Sequence, residues 1–184
     1  APQAGGIEGN RMFWKSDFMV HRREGYLTSA KMHSIRTANT DGVSNGEGLL
    51  SHYLSDGCTY LFRRGDDYDR IFGSWDWKRV PGCTIEQRPI EGNPRRIGTT
   101  AFAGGASDGA CGVAGFDFER DGLTARKAWF YFDREFACLG SGISLDRGDH
   151  PVLTSVNQCH LRGDVTIWRQ GARGAAKPRG ESAY

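Results

Sequence analysis

The sequence has no long apolar run, no closely spaced cysteine pair and little net charge, and each absence excludes a class of protein. No segment approaches the roughly 20 apolar residues that a membrane-spanning helix needs, so no membrane partner is predicted. The five cysteines form no C-x-x-C pair and have no metal-ligand spacing, which argues against a zinc site. We expect most of them to be small buried side chains, and an odd number leaves at least one unpaired within one chain.

The net charge and the first residues of the chain each lead to one further expectation. The 24 basic and 22 acidic side chains leave a formal charge of only +2, so nucleic acid is not expected as a partner. The first residues lack the basic and apolar regions of a signal peptide, and we therefore expect a mature or excised end.

Glycine is abundant, and it predicts many turns between short strands. The chain has 26 glycines against 6 prolines, and no segment sustains a helical period over three turns. Runs rich in aromatic or β-branched residues predict strands at residues 13–20, 26–35, 52–54, 59–63, 71–77, 110–118, 128–132, 136–139 and 165–168. Their number and spacing predict an all-β fold, an antiparallel β-sandwich.

The 184 residues are enough for one domain of ordinary size. We predict an N-terminal extension at 1–12, the sandwich at 13–170 and a flexible tail or linker at 171–184, where apolar periodicity is missing. Within the sandwich, residues 128–139 predict a central hairpin with apolar groups on both faces around a polar Asp133-Arg134-Glu135 turn.

Residues 45–84 mix acidic, amide, basic and aromatic side chains in a run broken by turns, which suits a polar ligand. Arg36, Arg63 and Arg64 can bind a substrate carboxylate or sulfate, because a guanidinium group matches planar anions. The alternative is that they are structural ion-pair partners of acids such as Asp66, Asp67 and Asp69.

Two tryptophans stand out in the same run. Trp75 and Trp77 alternate around Asp76, so a strand here would carry both indoles on one face. They can stack on sugar rings, or they can simply pack in the core, as most large aromatic side chains do.

Nine motifs together carry a family resemblance. They are FWKSD at 13–17, SIRT at 34–37, NGE at 45–47, YLSDG at 53–57, WDW at 75–77, VPG at 80–82, FAGG at 102–105, KAWFYFD at 127–133 and LGSGI at 139–143. In this order they resemble the central β-sandwich of polysaccharide lyase family 8, the chondroitin, hyaluronan and xanthan lyases, and most closely the chondroitin AC type.

The resemblance implies that other parts of the enzyme carry most of the chemistry. Family members are several times longer, and their catalytic Tyr, His and Arg, with an Asn, lie on a helical toroid that precedes the sandwich. The chain is therefore expected to need a toroid, in cis or as a separate chain, and to be inactive alone. The family cleaves anionic polysaccharide by β-elimination: the uronate carboxylate is neutralised, a base removes the C5 proton and an acid protonates the leaving oxygen.

The resemblance also implies site residues in this chain. An acid followed by Asn and then Glu reaches from a sandwich loop into the cleft, where the acid orients the toroid's base and Arg. Asn45 and Glu47 match this pattern, and Asp41 matches the acid if one residue is inserted. The alternative is an ordinary solvated turn, since Asp-Gly and Asn-Gly favour turns wherever they occur.

No cofactor is predicted. Some relatives hold calcium near the WDW turn with two acids flanking the second tryptophan, but here Lys78 stands at the second of those positions. That change disfavours calcium despite Asp76 and Glu86 nearby. A self-contained pair of His52 and Tyr53 is also disfavoured, because adjacent residues on a strand point to opposite faces.

The sequence therefore predicts the sandwich part of a secreted or periplasmic lyase acting on chondroitin or hyaluronan. The alternatives are a noncatalytic carbohydrate-binding sandwich and a purely structural one. Release of unsaturated uronate separates the enzyme from the binding module.

Overall fold

The computed structural model describes residues 7–40, 48–90, 92, 95–169 and 172–175. Among these residues all paired strands are antiparallel, and the only helix is the short 3-10 helix Trp14–Ser16. The predicted all-β antiparallel sandwich is confirmed. No described helix has the length and apolar character to cross a membrane.

Two four-stranded sheets form the sandwich. Their orders are β1-β2-β3-β4 and β6-β7-β8-β9, and two small sheets pair β10 with β5 and β11 with β12. The strands are β1 Gly9–Phe13, β2 Phe18–Arg23, β3 Tyr26–Lys31, β4 Cys58–Phe62, β5 Thr84–Glu86, β6 Ala103–Ser107, β7 Gly112–Arg120, β8 Leu123–Tyr131, β9 Phe136–Leu145, β10 Val152–Thr154, β11 Thr166–Arg169 and β12 Ala172–Ala175.

The structure corrects the predicted domain ends. β1 pairs with β2 from Gly9 onward, so part of the predicted extension 1–12 belongs to the first sheet. Its side chains Asn10 and Met12 are buried, a pattern too short to be recognised from sequence. β12 likewise falls in the predicted tail 171–184, paired with β11.

Six predicted strands correspond to β3, β4, β7, β8, β9 and β11, but two others were wrong. Residues 52–54 and 71–77 form turns and bends, as the bonds from Leu54 N to Ser51 O and from Ser74 N to Ile71 O show. Their aromatic residues reflect burial rather than strand pairing. Residues 13–20 are not one strand either, because Asp17 has a left-handed backbone (φ 49°) between the 3-10 helix and β2.

The prediction also missed β5, β6, β10 and β12. The β6 strand has the sequence AGGAS, without the branched residues that favour strands. Gly105 is needed there because a Cβ would lie 2.3 Å from the Val113 carbonyl oxygen. Close packing thus selects glycine where propensity would reject it.

The first core cluster fills the space between the two sheets. Alternate residues of β7 and β8 point inward, among them Phe116, Phe118, Trp129 and Tyr131. They pack against Met12, Met19, Ala30 and Met32 from the first sheet and its end. This alternation is the pattern of a strand with one face in the core.

The predicted hairpin at 128–139 is confirmed. β8 pairs with β9 from Tyr131 opposite Phe136, and Phe132 N donates to Glu135 O at 3.0 Å across the turn. Its apolar groups do lie on both faces, since Phe130 is exposed while Trp129 is buried.

The second core cluster lies under the connection from residue 51 to residue 90. Its buried members are Tyr53, Cys58, Tyr68, Trp75, Val80, Cys83 and Ile85. Only Cys58 and Ile85 of these belong to strands. The long connection between β4 and β5 is therefore held by its own apolar side chains.

A buried ion pair joins the turn before β4 to the second sheet. Arg120 of β7 donates Nε–H and Nη2–H to the two oxygens of Asp56, at 2.5 Å each. His33 Nε2 lies 3.4 Å from the same carboxylate. Burial alone would raise the pKa of Asp56, but Arg120 and His33 hold it below its ordinary value. Because the folded pKa is depressed, this stabilisation exists above about pH 4 and is lost as the pH falls through the folded value.

Candidate functional site

The predicted catalytic residues Asp41, Asn45 and Glu47 lie in segment 41–47, outside the described residues. Their roles therefore stay predictions. The residues on both sides of the segment are described, and they form what we call the base: Asn39, Thr40, Gly48 and Ser51.

The base brings the two ends of segment 41–47 together. Thr40 Oγ1 and Ser51 Oγ lie 2.6 Å apart. Ser51 also donates to Gly48 O, from its hydroxyl at 2.7 Å and from its backbone N–H at 3.0 Å. One serine side chain thus contacts both flanks.

Asn39 fixes the first flank to two distant parts of the chain. It exchanges backbone and side-chain hydrogen bonds with Arg96: Asn39 N donates to Arg96 O at 3.0 Å, and Arg96 N donates to Asn39 Oδ1 at 2.8 Å. Ser55 Oγ donates to Asn39 O at 2.8 Å. The side chain is only 3% exposed, so these bonds are not exchanged for water.

Asp17 holds the residues just before the base. Its buried carboxylate accepts hydrogen bonds from Ser34 Oγ at 2.6 Å, Thr37 Oγ1 at 2.7 Å and Arg36 Nη2 at 2.5 Å. Segment 34–37 is thereby tied to the turn between β1 and β2. The sequence did not predict Asp17 or Asn39 as positioning residues, although Asp17 ends the FWKSD motif and Asn39 lies two residues after the SIRT motif.

Arg36 is engaged in structure rather than free for a ligand. Besides Asp17 it donates to Ala101 O at 3.1 Å and Ala103 O at 2.8 Å. Its side chain is still 45% exposed and borders an open concave surface that includes Trp14 and Phe102. The ion-pair alternative applies to Arg36, with Asp17 as the partner, and substrate contact stays a prediction.

Arg63 and Arg64 differ from Arg36, since both are exposed at the end of β4. Asp67 accepts hydrogen bonds from their backbone N–H groups at 2.9 Å each, not from their guanidinium groups. Asp66 is paired with Arg162 at 2.8 Å instead. Within the described ranges, neither guanidinium has a hydrogen-bond or ion-pair partner.

These backbone hydrogen bonds also determine the charge state of Asp67. Burial alone would raise the pKa of Asp67, but the N–H groups of Arg64, Arg63 and Gly65 hold it below its ordinary value. The carboxylate therefore stays ionised and fixes the turn. The two guanidinium groups are left exposed to solvent, where they can donate hydrogen bonds to an anion.

Trp75 and Trp77 lie together, although not on a strand. Their rings make a T-shaped contact with centroids 5.3 Å apart. Trp75 is 7% exposed, donates Nε1–H to Gln158 O at 2.9 Å and packs beside Tyr60. This is the core-packing alternative for Trp75. Trp77 is half-buried at the rim of the second core cluster.

A polar cavity of about 540 Å³ adjoins the base through His52 and Arg96. Its charged lining consists of Arg88, Arg96, Arg147, His150, Glu86, Asp121 and Asp149. Arg88 binds Asp121 at 2.5 Å and Arg96 binds the other oxygen of the same carboxylate. The cavity is thus crossed by ion pairs next to the predicted catalytic segment.

Among the described residues, no contact joins the candidate groups into one ligand site. Arg36 is bound to Asp17, the Arg63–Arg64 turn follows the end of β4, and Trp75 and Trp77 belong to or pack against the second core cluster. The arginines and tryptophans predicted to bind substrate therefore occupy three separate places in the described structure.

Residues 8–183 match the model of polysaccharide lyase family 8, super-sandwich domain. The chain belongs to polysaccharide lyase family 8. It is 38% identical over 172 residues to the chondroitinase-AC of Pedobacter heparinus, which covers 91% of this chain and 24% of that protein. It is 35% identical over 161 residues to the hyaluronate lyase of Thermasporomyces composti, and the match covers 83% of this chain and 20% of that protein.

Solved structures of the family agree with this assignment. A chondroitinase AC lyase studied as oligosaccharide complexes has a TM-score of 0.80 at 35% identity, over 91% of this chain and 25% of that one. A Paenibacillus xanthan lyase has a TM-score of 0.79 at 30% identity, over 93% and 17%. The chain thus spans a quarter or less of the length of these family 8 relatives.

The two acids considered for calcium, Asp76 and Glu86, have different neighbours in the structure. Asp76 Oδ1 accepts from Lys78 N at 3.0 Å, and Asp76 Oδ2 pairs with Arg79 at 3.2 Å. Glu86 lies instead beside Arg88 and His150, at 3.6 and 3.7 Å. Asp76 is thus already bonded to an N–H group and a guanidinium group, and Lys78 adds positive charge rather than a ligand. Glu86 lies with Asp149 and His150, whose ligand atoms are within 4.8 Å of one another, so the absence of a metal stays a prediction.

The predicted strand that would separate the side chains of His52 and Tyr53 is wrong. The two residues lie in a turn and their rings touch, with centroids 4.6 Å apart. Burial, however, raises the pKa of Tyr53 above its ordinary value. A tyrosine that is harder to ionise is poorly suited to remove a proton, so the pair still does not suggest a family 8 catalytic centre.

Proposed function

We propose that this chain is the sandwich part of a polysaccharide lyase that cleaves uronic-acid-containing polysaccharide by β-elimination. The observation that carries the proposal is the match of residues 8–183 to the family 8 super-sandwich domain. The relatives named chondroitinase-AC and hyaluronate lyase are 38% and 35% identical to it, against 33% for a xanthan lyase of Bacillus. We therefore favour a chondroitin or hyaluronan type of substrate.

The described geometry supports a division of roles. The base holds the flanks of segment 41–47, so that Asn45 and Glu47 would be presented from a rigid sandwich. The family resemblance gives the proton-transfer groups to a helical toroid, which would be joined to this chain or supplied separately. The proposed reaction needs a proton donor, a proton acceptor and groups that neutralise the carboxylate, none of which intrinsically requires a cofactor.

The exposed guanidinium groups of Arg63 and Arg64 support an anionic polymer as the partner. Such polymers lie outside the cell, so we place the complete enzyme in the secreted or periplasmic space. The same exposed pair also favours one alternative, a noncatalytic sandwich that only binds carbohydrate. The two functions differ in whether unsaturated uronate is released.

The isolated chain is expected to show no appreciable lyase turnover. The reason is that Tyr53 has a raised pKa and the proposed proton-transfer groups belong to another domain. Absorbance of unsaturated uronate, followed on chondroitin and hyaluronan with a full-length family 8 lyase as positive control, measures this. Robust product formation by the purified chain would contradict the proposed dependence on a second domain.

In the complete enzyme, Asn45→Ala and Glu47→Ala are expected to lower kcat by roughly 100- to 1,000-fold with little change in KM. A preorganised donor or orienting carboxylate acts mainly in the transition state and adds little to folding. Asp41→Ala tests the third residue in the same way, and Ser44→Ala is the matched control within the segment. Steady-state kinetics with wild-type-like melting temperatures check the result, and unchanged kcat in both Asn45→Ala and Glu47→Ala would remove the segment from the site.

Affinity for anionic oligosaccharide is expected to fall when Arg63 and Arg64 are both changed to Ala, by roughly 10-fold at low salt, because two charge-assisted donors are lost. Raised ionic strength should weaken wild-type binding in the same direction. Calorimetric titration with sulfated and unsulfated chondroitin measures both effects. Arg126→Ala is the control, since Arg126 is exposed on β8 and has no ion pair among the described side chains.

Salt-independent binding, or equal binding of a neutral glucan, would contradict the charge-based interpretation. It would point to stacking on Trp77 and to the carbohydrate-binding alternative.

A further inference from the structure

Two of the five cysteines are fully buried in the same apolar environment. Cys58 is 1% exposed and Cys83 is 0% exposed, and both belong to the second core cluster. Cys58 begins β4, and Cys83 directly precedes β5. The segment made of β4 and the long connection to β5 therefore begins and ends at a thiol.

The backbones around the two thiols are packed against each other. Thr59 N donates to Pro81 O at 2.8 Å. Gly82 has a positive φ of 78°, and a Cβ there would lie 2.4 Å from Thr59 Oγ1 and 2.7 Å from Gly57 O. Only glycine allows this approach without displacing the backbone beside Cys58.

The side chains complete the contact. Cys83 Sγ donates to Tyr53 O at 3.3 Å, and the Cys58 thiol is one of the groups that raise the pKa of Cys83. The other three cysteines contact different groups; Cys159 Sγ, for example, accepts from Asn157 Nδ2 at 3.3 Å. Among the described cysteines, Cys58 and Cys83 are the two that belong to one core cluster.

We propose that Cys58 and Cys83 close to a disulfide when the chain folds under oxidising conditions, cross-linking the start of β4 to the entry of β5. The bond would enclose the Arg63–Arg64 turn and both tryptophans in a covalent loop. The packed backbones beside Cys58 and Cys83 supply the close approach that a disulfide requires. The inference stands on contacts within this chain and does not depend on the proposed lyase activity.

The oxidant is a small-molecule disulfide such as glutathione disulfide. One cysteine thiolate attacks it, a mixed disulfide forms and one glutathione thiolate leaves. The second cysteine thiolate then attacks the protein sulfur of the mixed disulfide and displaces the other glutathione. Two protein thiols are oxidised, one glutathione disulfide is reduced to two thiols, and the two cysteine protons pass to glutathione.

Burial decides when this reaction can happen. Burial, with a smaller contribution from Cys58, raises the pKa of Cys83 well above its ordinary value, so the folded Cys83 thiol is largely un-ionised at neutral pH. The thiolate is the attacking species, and the folded core also excludes the oxidant. Oxidation should therefore be fast during refolding and slow once the reduced chain has folded.

The test is to refold the denatured, reduced chain in a buffer of reduced and oxidised glutathione and to map its peptides by mass spectrometry without reduction. We expect one peptide pair linked through Cys58 and Cys83, lighter by two hydrogen atoms than the reduced pair. A reductant added to the folded product should lower its melting temperature by roughly 5–10 °C, since the cross-link constrains the unfolded chain.

Cys58→Ala and Cys83→Ala should each abolish the effect of the reductant on the melting temperature, whatever their own stability. Cys159→Ser, which changes an exposed thiol, should keep it. Free thiols at both Cys58 and Cys83 after refolding in glutathione disulfide would overturn the proposal. So would a disulfide that uses Cys111, Cys138 or Cys159 instead, and the peptide map of the wild-type chain decides this even if a variant fails to fold.

Discussion

The ion pair between Asp56 and Arg120 is the contact on which the rest of the described structure depends. Arg120 lies on β7 in the second sheet, whereas Asp56 lies in the turn that ends at β4 in the first. His33, which follows β3, approaches the same carboxylate. A buried carboxylate of this kind is stable only while its partners stay in place, since loss of one partner typically costs about 3–5 kcal/mol. The two sheets and the connection between them are thereby fixed by one charge.

The same turn is joined by hydrogen bonds to the base that flanks segment 41–47. Ser55, next to Asp56, donates to Asn39 O, and Asn39 in turn binds Arg96. On the other side, Asp17 anchors residues 34–37 through three hydrogen bonds. The flanks of the predicted catalytic segment are thus held by two buried carboxylates rather than by the surface. This is how a sandwich can present residues with the precision that catalysis in a second domain would require.

Local patterns in the sequence predicted the fold class, the hairpin at 128–139 and the strand β4, because these depend on alternation and turn chemistry. Residues 52–54 and 71–77 were misassigned because aromatic residues in a buried connection resemble a strand. β6 was missed because packing against Val113 requires glycine, which propensity counts against a strand. The contacts of Asn39 with Arg96 and of Asp56 with Arg120 lie 57 and 64 positions apart, beyond any local pattern. For the same reason, only the structure separates Arg36, bound to Asp17, from Arg63 and Arg64, which have no such acid in the described part of the chain.

The central claim is that one buried ion pair holds both the sandwich and the base, and amide hydrogen exchange of Asp56→Asn tests it most directly. Losing a buried partner worth about 3–5 kcal/mol should raise exchange roughly 100- to 4,000-fold, by a common factor at the amides of Asn39, Gly57 and β7. Arg126→Ala should leave the same amides unchanged. Protection of Asn39 that stays at its wild-type level in Asp56→Asn, while β7 loses protection, would show that the base is held independently and would contradict the account.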